Sequence, residues 1–161
     1  MVRIFSEYGQ EHFSKRIARG IIEYRCRKKI ETTLELVNII NKSVGKVNSK
    51  INSATKVFQA LRIEVNQELK NIKEVLEEVI PILEVGAIIV TISFHSLEDV
   101  IVKQIFKRKS RNCNCGPYDM VCCCDKAVLE LVNKKPIVAS KRELFENPSS
   151  RSAKLRIAKR I

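Results

Sequence analysis

The stretch Gly86–Asp99, GAIIVTISFHSLED, sets the tightest limit on what this chain can fold into. Ile88, Ile89, Val90 and Ile92 form a β-branched run too apolar for a half-exposed strand, so the pattern predicts a buried strand of an α/β sheet. The run stops at Phe94-His95-Ser96, and a second amphipathic segment, Val100–Phe106, begins at once. Ser96-Leu97-Glu98-Asp99 fits a capping box, a hydroxyl for the free helix amides with a carboxylate three residues on. In open α/β sheets, ligands bind at the carboxyl ends of strands, which makes His95, Ser96, Glu98 and Asp99 candidates for chemistry. The bland alternative is that Ser96 and Asp99 only cap the helix and His95 fills the turn.

The rest of the chain supplies the setting for that strand. At 161 residues it is one domain, or parts of two. No apolar stretch approaches membrane-spanning length and no secretory signal follows Met1-Val2-Arg3, so the expected location is cytoplasmic. Charge is unevenly spread. Residues 1–60 carry 12 basic and 5 acidic groups, residues 61–100 carry 3 and 8, and residues 101–161 carry 15 and 5. Two basic ends around an acidic middle point to an electropositive face suited to a polyanion, RNA or DNA first.

Phe5–Ile22 reads as helical from Phe13 onward, and a second helix starts at Thr32 or Thr33 and runs through Ile40. Asn41–Ser53 reads as a loop or a boundary between units. A long helix is expected from about Ala54 to Ile80, with Phe58, Leu61, Val65, Leu69, Ile72 and Val75 or Leu76 on one stripe and Pro81 ending it. Lys134–Ser140 reads as a short edge strand or an extended segment, Glu143–Glu146 as a helical piece, and Arg151–Ile161 as a final strand of alternating apolar and basic residues.

Five of the six cysteines fall in Cys113–Cys124. Without a secretory context they read as reduced thiols or metal ligands. Cys113, Cys115, Cys122 and Cys124 can supply four thiolates to a tetrahedral zinc ion, although the one-residue gaps are tighter than the usual pairs; a metal-free loop is the competing reading.

Three segments resemble a known family, the bacterial methyltransferases that modify the exocyclic amine of a cytidine in small-subunit ribosomal RNA (the RsmH/MraW family). They are TKVFQALRIEVNQEL at Thr55–Leu69, ISFHSLEDVIV at Ile92–Val102 and NPSSRSAKLR at Asn147–Arg156. Ile4–Arg19 and Thr32–Ile40 also resemble the family's upstream helical segment. Asn52-Ser53 stands where the family usually has His-Pro, and Lys56 where it has Arg.

The resemblance implies an S-adenosylmethionine-dependent enzyme with a Rossmann-like sheet, and it implies that this chain is the C-terminal half. Residues 1–53 would then end an inserted helical domain, and residues 54–161 would close the methyltransferase core. No glycine-rich loop for the donor is found, so the donor site is expected in a missing N-terminal half, as a separate chain or a lost segment, and the chain alone is expected to be inactive. The expected partner is small-subunit ribosomal RNA, with Arg62, Arg151, Lys154, Arg156 and Arg160 as candidate contacts. Arg62 can equally pair with neighbouring carboxylates, and the basic tail can equally be a solvated strand face. The alternative function is a catalytically inactive, basic RNA-binding fragment, with or without zinc.

Overall fold

Among the described residues, helices build the first part of the chain, Met1–Glu68, while a sheet organises the second, Leu69–Ile161. Both are seen in a computed structural model that describes residues 1–45, 52–112 and 126–161. The cysteines proposed as zinc ligands lie outside the described residues.

The helical unit comprises α1 (Val2–Glu7), α2 (Ser14–Arg25), α3 (Thr33–Val44) and α4 (Ser53–Asn66). The helix expected from Phe13 onward is α2, and a further short helix, α1, precedes it across Tyr8–Phe13. Thr32 caps α3 through a full capping box with Glu35, and the helix continues to Val44, past the loop expected from Asn41. Asn52 caps α4 by accepting from the Ala54 amide at 2.9 Å, which gives the Asn52-Ser53 departure a local role. The core is Phe5, Ile17, Ile21, Ile39, Ile40, Val57 and their neighbours. Gly20 lets α2 approach α3, because a Cβ there would collide with Ser43.

α4 buries Ala54, Val57, Ala60 and Ile63, and leaves Val65 exposed. The stripe expected through Phe58, Leu61 and Val65 is thus rotated by about one residue, because small alanines set the close-packed face. Nor does the helix continue unbroken to Ile80. Gln67 adopts a left-handed conformation, φ 51°, ending α4, and α5 begins at Glu68 and runs to Ile82. Apolar spacing persisted across that break and concealed it. With α4 in the first core, the units divide at Glu68–Leu69 instead of the 53/54 boundary expected from composition.

In the second unit, β1 (Ile88–Ser93), β2 (Leu129–Leu131), β3 (Ile137–Val138) and β4 (Lys154–Arg160) form one sheet, all of whose described ladders are antiparallel. The last strand is central: β4 pairs with β1 on one side and with β2 and β3 on other stretches. Since β1 and β2 both run antiparallel to β4, they are parallel to each other, joined through α6 (Ser96–Lys109). Gly86, at φ +93°, turns the chain into β1, and its amide donates to the Arg160 carbonyl at 2.8 Å. Asn133 mends the gap between β2 and β3: its Oδ1 accepts from the Ile157 amide at 2.7 Å, and its Nδ2 donates to the Leu155 carbonyl at 3.2 Å. A short helix, α7 (Lys141–Glu146), and a 3-10 turn, Pro148–Ser152, lead into β4.

One face of this sheet is packed. Leu76 and Ile80 of α5, Val102, Ile105 and Phe106 of α6, Leu129 and Ala158 form its core. The other face is bare. Ile88, Val90 and Ile92 are 64%, 54% and 58% exposed, so β1 is not the fully buried strand its composition predicted. No helix among the described residues is long and apolar enough to cross a membrane.

Candidate active site at the carboxyl end of the first strand

β1 passes into α6 at the expected place, but the cap is shifted by one residue. His95 is the N-cap: its backbone is extended and its Nδ1 accepts from the Glu98 amide at 3.4 Å. Glu98 returns the bond, its Oε2 accepting from the amides of Phe94 at 2.8 Å and His95 at 3.3 Å. An unprotonated imidazole nitrogen therefore does what a serine hydroxyl was expected to do. Ser96 becomes the first helical residue, exposed, with no side-chain partner among the described residues.

Release from capping leaves Asp99 for a different task. Its carboxylate, 6% exposed, meets the guanidinium of Arg156, 8% exposed, in a bidentate pair of 2.7 Å and 3.1 Å. Lys154 Nζ adds a contact at 3.4 Å. Period-2 alternation places Lys154 and Arg156 on the same side of β4, opposite Ser93 and Thr91 of β1. The hydrogen bond from Arg156 holds the Asp99 carboxyl below the usual carboxylate range, against the opposing effect of burial. With both oxygens occupied, Asp99 is suited to tying α6 to β4. It does not have the free oxygen that a general base requires.

The five proposed RNA contacts separate in the structure. Arg156 points into the ion pair, and Lys154 shares it. Arg160 Nη1 donates to the Val128 carbonyl at 3.0 Å, so part of that guanidinium closes the sheet edge. Arg62, in the other unit, forms a bidentate pair with Glu68 at 2.7 Å and 3.1 Å. Arg151 is exposed in the turn before β4. Of the candidates near the strand end, His95, Ser96 and Asp99 lie together where β1 passes into α6. The sequence missed that Arg156 is Asp99's partner, which only the register of β4 against β1 reveals.

The sequence model of the MraW methylase family matches residues 1–161. The chain belongs to this family. Among its curated relatives, the ribosomal RNA small subunit methyltransferase H of Sulfurihydrogenibium azorense is 48% identical over 163 residues, covering 100% of this chain and 51% of the relative. The proteins of the same name from Citrifermentans bemidjiense and Caldicellulosiruptor bescii are 44% and 47% identical, with 53% and 52% of their lengths covered. The chain therefore spans about half the length of the curated relatives it matches. The MraW match agrees with the resemblance drawn from FQALRI and FHSLED, both of which sit in ordered helix or at the β1–α6 turn.

Proposed function

We propose that this chain is the C-terminal part of an S-adenosylmethionine-dependent enzyme that methylates the exocyclic N4 amine of a cytidine in small-subunit ribosomal RNA. The observation that carries the reading is the bare apolar face of the sheet, Ile88, Val90 and Ile92, in a chain spanning about half of its relatives. Doubly wound sheets are covered on both faces, and contiguous exposed apolar surface marks a place where something else packs. The strand order supports the placement. A last strand reversed between two parallel ones suits the closing edge of a Rossmann-like sheet.

A cytosine amine is a poor nucleophile, because its lone pair is delocalised into the ring. The enzyme must extrude the base, hold the amine in line with the donor methyl and accept its N–H groups. In this chain Asp99 and Arg156 fix the amino end of α6, and thereby the positions of His95 and Ser96. Ser96 is the exposed hydroxyl at that strand end. S-adenosylmethionine supplies the methyl group when bound. The described residues do not fit it: no glycine follows β1, the Glu98 amide is already taken by His95, and Gly86 lies at the strand's other end. The donor site accordingly belongs to the rest of the enzyme.

The test is reconstitution. Alone, the chain should transfer no labelled methyl group to small-subunit RNA. Mixed with the part of the S. azorense relative that does not align to it, it should restore transfer. Turnover by the chain alone would refute the reading, and so would a stable complex that binds RNA without transferring methyl, the outcome expected of an inactive RNA-binding module.

A further inference from the structure

A cleft of about 300 Å³ opens between the carboxyl-terminal half of α6, the end of β2 and β4. Its rim is cationic: Lys103 and Lys107 lie on α6 and Arg111 just past its end, at intervals of four residues, Lys134 comes from beyond β2, and Arg156 and Phe106 also line it. No carboxylate lines it among the described residues.

The cations next to the cleft are held differently from those that line it. One step round the same helix, Arg108 and Lys109 are held by Glu77 of α5. Arg156 is neutralised by Asp99 through Nε and Nη2. Lys103, Lys107, Arg111 and Lys134 have no ion-pair partner among the described residues; the same holds for Lys126, Lys135 and Lys141, and what sets the four apart is that they line one cleft. Attraction to the carboxyl end of a helix accounts for Lys107 and Arg111, which sit in or just past the last turn. It does not account for Lys103 a turn earlier, or for Lys134 from a separate element. Four like charges around one concavity, with no carboxylate facing them among the described residues, raise a positive potential that an entering anion lowers.

We propose that this cleft is a seat for the phosphodiester backbone of single-stranded RNA, with Lys103, Lys107, Arg111 and Lys134 as the contacts. It rests on the reading of RNA as substrate, and it moves the RNA contact from the β4 side chains to the α6 face. Backbone seats of this kind fix register and carry no base preference, and Phe106 and Leu131 supply apolar lining between the charges. Arg156 contributes as a fixed wall, since its guanidinium is already held in place.

The experiment uses the full chain and a labelled single-stranded RNA 12-mer, with affinity read by fluorescence anisotropy across a salt series. Two variants remove equal charge from the sheet unit. One is Lys103→Gln/Lys107→Gln/Lys134→Gln; the control is Lys126→Gln/Lys135→Gln/Lys141→Gln, at exposed positions outside the cleft. The cleft variant should bind at least about tenfold more weakly at 100 mM salt, with the log–log salt slope reduced by about 2, at roughly 0.7 per lost single-strand phosphate contact. The control should change affinity by less than about threefold. Equal losses in the two variants would show that net charge alone attracts RNA, and would overturn the cleft while leaving the RNA reading intact. No binding by the unsubstituted chain would remove both. Inorganic phosphate or cytidine monophosphate that displaced the 12-mer beyond the effect of chloride at equal ionic strength would mark a pocket for a free phosphate, and would also overturn the backbone assignment.

Discussion

In the helical unit Phe5, Ile17, Ile40 and Val57 are enclosed by helices on every side, and the four helices bury their apolar faces in one another. In the sheet unit Leu76, Ile80, Phe106 and Leu129 are equally well enclosed, yet the opposite face of the same sheet presents Ile88, Val90 and Ile92 to solvent. A helix has one apolar stripe and can satisfy it against a neighbour, whereas a β-branched strand has two apolar faces and needs a layer on each. Among the described residues the first unit encloses its core, and the second leaves one sheet face exposed, which is why the same kind of substitution should have different consequences in the two.

The largest effect is expected inside the enclosed core. Phe5→Ala should destabilise the helical unit by about 3–5 kcal/mol, measured by denaturant unfolding, because a fully buried ring leaves a cavity among packed helices. A loss below about 1 kcal/mol would show that this core is looser than its burial implies.

Nearly as large is the expected loss from Asp99→Ala, about 3–5 kcal/mol, since Arg156 would remain buried without its partner. The double variant Asp99→Leu/Arg156→Met should recover most of it. The pH dependence follows from sign. Asp99 has a folded pKa below its unfolded value, so its contribution is complete above the ordinary carboxylate pKa of about 3.9 and is lost as pH falls through the lower folded value. Acid unfolding of the sheet unit below about pH 4 should therefore lose its steepest part in the double variant.

The exposed counterpart of that pair sharpens the contrast. Arg62→Gln removes the bidentate contact to Glu68, but the guanidinium is 58% exposed, and the cost should be under about 1 kcal/mol. Smallest of all is the effect on the bare face. Val90→Thr should change stability by less than about 0.5 kcal/mol while lowering binding of a hydrophobic dye. A cost of 2 kcal/mol or more there would mean that this face is already covered, and would erase the difference between the units.

Element types were largely legible. The β1–α6 passage, the helices around Ile17 and Ile39 and the final strand all follow from periodicity. The break at Gln67 was not, because a single left-handed residue leaves the apolar spacing on either side undisturbed. Nor was the role of Arg156. Along the sequence it is one more cation in a basic tail; only pairing with Thr91 across β1 brings it to Asp99, 57 residues away. The same strand shows the limit of composition. Ile88, Val90 and Ile92 predict a buried strand by composition, and the structure leaves all three exposed.

The most direct measurement is hydrogen exchange at the amides of Ile88–Ser93 that face away from β4, in the chain alone and after addition of the part of the S. azorense relative that does not align to it. Completion of the sheet predicts rapid exchange in the chain alone and at least about a hundredfold slowing in the mixture, with the amides of α2 and α3 unchanged. Methyl transfer restored in the mixture with no slowing at β1, or the same amides already protected in the chain alone, would contradict it.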